Sequence, residues 1–230
     1  MATYVLIHGA AVDSWYWHPL AAELQVRGHD VVAPDMPNTD DSAGLANYTD
    51  AVTDAIGDRA DLIVVAHSFG GFVGPLVCER VPVDLLVMLH AQIPASGESP
   101  GDWWTNSGYG EARANHDADG AAPSQDDTLA FALHDTPSEL ATEFMAHHQV
   151  DQSGTPFEQP WPLDAWPNVP TKVLLARNDH FFPVEFLRKL AKDRLGIMAD
   201  EMDGGHCPML GHPTELAERL ENYRLDVVKR

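Results

Sequence analysis

One stretch constrains this chain more than any other: Leu62-Ile63-Val64-Val65-Ala66-His67-Ser68-Phe69-Gly70-Gly71. The apolar run from Leu62 to Ala66 reads as a β-strand, and the glycines that follow read as a tight turn into a helix. Ser68 stands at the turn, with Ala66 two residues before it and Gly70 two residues after. Those two positions must be small, because a sharp strand-to-helix turn brings backbone and helix together too closely for larger side chains. Ala66 replaces the first Gly of the G-x-S-x-G pattern, which adds one methyl group.

The rest of the chain supplies the setting such a turn requires. Short apolar runs at Tyr4 to Ile7, Asp30 to Ala33, Leu85 to Leu89 and Lys172 to Ala176 alternate with helical patterns over Pro19 to Arg27, Ala43 to Arg59 and Gly70 to Glu79. This is the rhythm of parallel strands joined by crossover helices. It breaks after Leu89. From Ala91 to Val169 come Pro, Gly, Asp and His in quantity, four of the six tryptophans and no strand-like run, which predicts an inserted cap over 91–169 within one domain spanning 1–230. Two cap helices are expected, Thr128 to His134 and Pro137 to His148, the second capped by the Thr136 hydroxyl with Pro137 in its first position. The sheet pattern resumes at Pro170, and a last strand near Ile197 to Met202 and a helix from Pro213 to Val228 close the chain.

A serine hydroxyl is a weak nucleophile until a base takes its proton. Asp203-Gly204-Gly205-His206 follows the last expected strand, so His206 would stand on the same sheet edge as Ser68. The base in turn needs a carboxylate to fix its tautomer. Ala176-Arg177-Asn178-Asp179 ends a strand and supplies one in Asp179; Asp203 is nearer in sequence, too near to reach the ring easily. The order Ser68, Asp179, His206 is that of one serine-hydrolase architecture and not of others. The charge that develops on a substrate carbonyl needs backbone N–H donors. Phe69, which opens the helix after the nucleophile, and Ala10, in the His8-Gly9-Ala10 turn after the first strand, are the candidates. His8 itself reads as a residue that hydrogen-bonds this loop. His67 adjoins the serine and points elsewhere.

These residues together resemble the α/β-hydrolase superfamily over roughly 1–90 and 170–230. The early start at His8-Gly9-Ala10 and the text through Trp15 and Trp17 resemble its compact methylesterase and hydroxynitrile lyase group and their bacterial relatives. The resemblance implies a mainly parallel six-stranded sheet flanked by helices, with Ser68, Asp179 and His206 as the triad. Lyases of that group carry Thr after the strand histidine and Lys after the catalytic histidine. Here Gly9 and Cys207 occupy those positions, so the esterase members are the closer comparison. Ester hydrolysis through an acyl-enzyme is the expected activity. C–C bond hydrolysis or perhydrolysis by the same triad, or a non-catalytic receptor for a small ligand, remain the alternatives.

Composition narrows the partners. Lys and Arg total 14 against 35 Asp and Glu, a formal charge of -21 that repels nucleic acid and anionic membranes. Nothing near Met1 reads as a signal or a membrane span, and Cys78 and Cys207 read as free thiols, so a cytoplasmic enzyme without cofactor is expected. No tight ligand spacing among His134, Asp135, His147 and His148 marks a metal site. A small hydrophobic ester is the expected partner, and oligomeric state is not legible. About a third of Trp103, Trp104, Tyr109, Phe131, Phe144, Met145 and Trp161 are expected to touch substrate, the rest being cap core.

Overall fold

In the computed structural model, which describes residues 1–119, 127–147 and 150–228, the alternating pattern becomes a single parallel sheet. Its strands are β1 (Thr3–Ile7), β2 (Asp30–Val32), β3 (Leu62–His67), β4 (Leu85–Leu89), β5 (Thr171–Ala176) and β6 (Asp200–Met202), in the order β2-β1-β3-β4-β5-β6. Every pairing is parallel, with Ile7 beside Ala66, His67 beside Leu89 and Ala176 beside Met202. All carboxyl ends therefore lie on one edge. The chain reverses its direction of travel across the sheet between β1 and β3, and the crevice beyond such a reversal is where ligands bind in open α/β sheets.

Side chains alternate across the strands, as the pleat requires. Val5, Ile7, Val64 and Ala66 face a core that includes residues of α2 (Leu45–Ile56), α3 (Gly74–Arg80) and α9 (Val184–Leu195). Tyr4, Leu6, Ile63 and Val65 face the opposite core, under α1 (His18–Val26) and α11 (Pro213–Val228). Central strands covered on both faces read as unbroken apolar runs, and that made them legible.

Several expected boundaries move. The helix expected from Gly70 begins instead as a 3₁₀ turn over Ser68–Phe72, and α3 starts only at Gly74. The cause is crowding: a Cβ on Gly71 would lie 1.9 Å from the Gln92 carbonyl oxygen, and one on Gly70 2.8 Å from that of His8. The last strand starts at Asp200 rather than Ile197.

Between β4 and β5 the described residues contain no strand and five helices: α4 (Pro100–Asn106), α5 (Tyr109–Asp119), α6 (Thr128–Ala132), α7 (Ser138–His147) and α8 (Thr155–Glu158). The sequence reading gave α6 and α7 and passed over the others. The expected cap of α7 is corrected: Ala141 N–H donates to the Pro137 carbonyl, while the Thr136 hydroxyl is buried without a partner, so the helix starts one residue late. His148, the expected last residue of that helix, lies outside the described residues. A start of the same kind does occur at α4, where Ser99 Oγ accepts from Asp102 N–H and Pro100 takes the first position.

The glycines yield a direct test. Gly71→Ala should lose roughly 1–3 kcal/mol or more from forced backbone displacement. Gly110→Ala, in α5 with no atom within 4 Å of the new Cβ, should gain about 0.5–1 kcal/mol from helix propensity. Urea midpoints of both variants against the parent chain measure the difference, and equal midpoints would contradict the packing at Gly71.

Candidate active site

The turn after β3 is held under strain. Ser68 has φ 51, a left-handed conformation that non-glycine residues rarely adopt away from functional turns. Its surroundings leave no room for bulk. A Cβ on Gly74 would sit 2.7 Å from that of Ala66, and one on Gly9 would sit 3.1 Å from that of Ser68. The methyl group that Ala66 adds is thus accommodated by the glycine of α3, and the turn after β1 presses directly on the serine. His8 behaves as a loop residue, its Nε2 accepting from Met36 N–H and its Nδ1 donating to the Gly9 carbonyl.

Asp179 and His206 are brought together. His206 Nδ1 donates to Asp179 Oδ2 at 2.8 Å, which leaves Nε2 of the neutral ring as a proton acceptor. Two further donors converge on the carboxylate: Phe181 N–H on Oδ1 at 2.6 Å, and His90 Nε2 on Oδ2 at 2.5 Å. The Asp179 side chain is fully buried. Burial alone pushes a carboxyl up, but the imidazoles of His206 and His90 outweigh it by charge and hydrogen bonding and hold Asp179 well below the usual carboxylate range. Asp203, the alternative acid, points to solvent and pairs with Arg177 at 2.7 Å.

Ser68 and His206 line the same cavity. No hydrogen bond joins them among the described residues, and such bonds often tighten only when substrate is bound.

His90 is the residue that sequence reasoning missed. It follows β4 directly, on the same edge, with φ 46. Ala176 N–H donates to its Nδ1 at 2.9 Å, so the ring proton sits on Nε2, toward Asp179. A histidine immediately after a buried strand was the available signal. His90, Asp179 and His206 also lie close enough together to suggest a metal site. Their hydrogen bonds argue otherwise, since the atoms that face one another are already donors and acceptors of a closed set. Of the other histidines weighed as ligands, His134 stacks on His180 and His147 pairs with Asp13, while His148 is outside the described residues.

The cavity holds about 330 Å³ and is walled by Phe69, Phe181 and, from the inserted segment, Trp104, Phe131, Phe144 and Phe157. Three of the seven aromatic and sulfur side chains proposed from sequence thus reach it. Trp103 and Trp161 are instead buried in the core, Tyr109 packs against that core, and Met145 is exposed. Among the described residues, no Asp, Glu, Lys or Arg lines the cavity. Gln92 does, and its Nε2 is buried without a hydrogen-bond partner. Cys207 is also part of the wall; burial pushes its thiol far up, so it is no thiolate.

A strained serine at the carboxyl edge of a parallel sheet, with a carboxylate-bound histidine beside the same cavity, defines the hydrolase class of α/β proteins. The chain belongs to the family described as alpha/beta hydrolase, whose model matches residues 4–219. It is 28% identical to a carbendazim hydrolyzing esterase of Nocardioides sp. (strain SG-4G), over 96% of this chain and 98% of that one. It is 23% identical to methylesterase 7 of Arabidopsis thaliana, over 94% of each. Among solved structures, a pyrethroid hydrolase from Sphingobium faniae JZ-2 superposes with a TM-score of 0.79 at 23% identity, covering 100% of this chain and 99% of that one. Esterase and methylesterase relatives are those the sequence resemblance pointed to.

Burial sets a pH signature for the fold. It pushes His8 below the ordinary imidazole range and, with His206 beside it, His67 well below. Both rings are neutral when folded, and each binds a proton once unfolded below about pH 6.5. Their contribution to stability is complete above that pH and is lost as the pH falls toward the lowered folded values. Urea unfolding from pH 7.5 to 5.5 should show the free energy falling by up to about 1.4 kcal/mol per pH unit for each ring. A level or rising free energy would show that the rings are charged in the fold.

Proposed function

We propose that this protein is a serine esterase that cleaves small, uncharged, largely apolar esters through an acyl-enzyme. The observation that carries the reading is His206, tied by Nδ1 to buried Asp179, on the same cavity as a strained Ser68. The names of the esterase relatives agree with it.

In this reading Ser68 Oγ attacks the ester carbonyl carbon as its proton passes to His206 Nε2. The oxyanion is received by the N–H groups of Ala10 and Phe69. Around Ala10 the neighbouring donors are already used, Gly9 N–H by Tyr16 Oη at 2.9 Å and Ala11 N–H by Gln152 Oε1 at 3.1 Å. Phe69 is the second residue of the 3₁₀ turn, where N–H groups have no acceptor within the turn itself. Collapse of the intermediate breaks the C–O bond, and the leaving alcohol takes the proton from His206. Water then adds to the acyl carbon with His206 again as base, releasing the acid and the serine.

Residues 91–169 act as the cap, supplying four of the aromatic walls, and Gln92 offers its unpaired amide to an oxygen of the substrate. The described lining carries no charged side chain and so disfavours ionic substrates, since a buried charge without a partner is costly. Free thiols at Cys78 and Cys207 suit a cytoplasmic location. Among the described residues no helix is long and apolar enough to cross a membrane.

A series of p-nitrophenyl esters tests the reading. Short acyl chains should be preferred, because about 330 Å³ is at the small end for ligand pockets. Ser68→Ala should abolish turnover with an unchanged circular dichroism spectrum, and retention of more than about a tenth of the rate would reject the nucleophile. Asp179→Asn should lower kcat by up to about four orders of magnitude, while Asp203→Asn stays within a few-fold. The reverse ranking would move the acid to Asp203.

A further inference from the structure

We infer that Tyr16 and His67 are positioning residues that lock the turn after β1 and the loop of His206 to one another through a one-way hydrogen-bond relay. Three bonds make the relay. Gly9 N–H donates to Tyr16 Oη at 2.9 Å, the Tyr16 hydroxyl meets His67 Nδ1 at 3.0 Å, and His67 Nε2 meets the His206 carbonyl oxygen at 2.8 Å. Tyr16 is 1% exposed, His67 2% and His206 8%, so water does not compete with these bonds.

The direction of every bond is fixed by its two ends. The His206 carbonyl has no proton, so His67 Nε2 must carry one and donate it. Burial keeps the His67 ring neutral, so Nδ1 has only a lone pair, and the Tyr16 hydroxyl must donate to it. The Tyr16 oxygen then accepts the Gly9 N–H, the one donor a backbone amide offers. No other arrangement of protons satisfies all four groups.

The relay reaches the parts of the site that have to keep register. One end is the His8–Gly9 peptide, one residue before the Ala10 N–H, in a turn where Gly9 has no room for a side chain against Ser68. The other end is the backbone of His206, whose ring is held from the opposite side by Asp179. The middle member, His67, is the residue next to the nucleophile, so the strand that sets Ser68 also sets the anchor for the base. Its ring also packs against that of His206, with centroids 4.8 Å apart. The side chains of Tyr16 and His67 also border the cavity, and truncating either frees both the oxyanion turn and the base.

The inference rests on the esterase reading, and its test separates the two. The rate at which a fluorophosphonate labels Ser68 is measured together with kcat and KM for a p-nitrophenyl ester. An unlabelled parent protein would sink the hydrolase reading itself. With a labelled parent, Tyr16→Phe, which removes a single oxygen, should lower kcat and the labelling rate roughly 10- to 100-fold, with KM within about threefold. His67→Leu should do the same. His67→Gln restores an N–H for the His206 carbonyl and an acceptor for Tyr16, and should recover most of the loss. Tyr223→Phe, which deletes a hydroxyl outside the cavity wall and outside the relay, should leave both rates unchanged. Thermal midpoints show whether each variant is folded at the assay temperature. Labelling and kcat within twofold of the parent in Tyr16→Phe and His67→Leu would overturn the relay, as would His67→Gln falling with His67→Leu.

Discussion

The close approach of backbone segments around Ser68 is the constraint from which the rest of the site follows. Three glycines and one alanine make it possible: Gly70 lies under the carbonyls of Ile7 and His8, Gly71 under that of Gln92, and Gly74 against the methyl of Ala66. Gln92 N–H closes the arrangement by donating to the Ser68 carbonyl at 3.0 Å. The chain leaving β1 and the chain leaving β4 are thus both packed on the turn after β3. Holding a non-glycine residue in the left-handed region costs about 1–3 kcal/mol, and this packing, rather than any preference of serine, must supply it.

Charge is arranged on the same principle of separation. The chain carries 35 acidic residues, yet none of the described ones lines the cavity wall, and the carboxylate of Asp179 behind it is enclosed by donors. A buried carboxylate is stable only when its lone pairs are filled. Asp179 meets that condition with two imidazole N–H groups and one backbone N–H. His90 therefore has a role that a three-residue description of the site omits: it shares Oδ2 with His206 and restricts where the carboxylate can point. The solvated acids, exemplified by Asp203 paired with Arg177, set the surface charge and leave the cavity to apolar groups.

What could be read from sequence was whatever depends on a local pattern. The strand ending in Ala66-His67-Ser68 and the parallel sheet follow from runs, turns and order along the chain, and the same reading singled out Asp179 and His206, which the fold brings together. His90 and Tyr16 escaped because their importance lies in partners 89 and 51 residues away, at Asp179 and His67, and no periodicity records such a pairing. The late start of α3 escaped for a related reason: Gly70-Gly71 reads as a helix start, and only the Gln92 carbonyl above it forces the tighter winding. Within the inserted segment, α5 has little apolar patterning to reveal it. For α4 the signal was present in Ser99-Pro100 and matched the rule applied at Thr136-Pro137, where the structure does not use the hydroxyl.

The segment between β4 and β5 does more than wall the cavity. Asp135, between α6 and α7, accepts from Gly205 N–H at 2.6 Å and meets His212 Nε2 at 3.1 Å, so it grips the loop of His206 on both flanks. A Cβ on Gly205 would lie 2.5 Å from the His134 ring, which explains why that loop is glycine there. Phe131, four residues before Asp135, lines the cavity and packs on Phe181, and Phe181 stacks on His206 with centroids 4.8 Å apart. The part of the chain that walls the cavity is therefore mechanically joined to the loop that carries His206. Substitutions in this segment that enlarge or reshape the cavity will act on the His206 loop as well, and changes of substrate preference and of turnover should be coupled rather than independent.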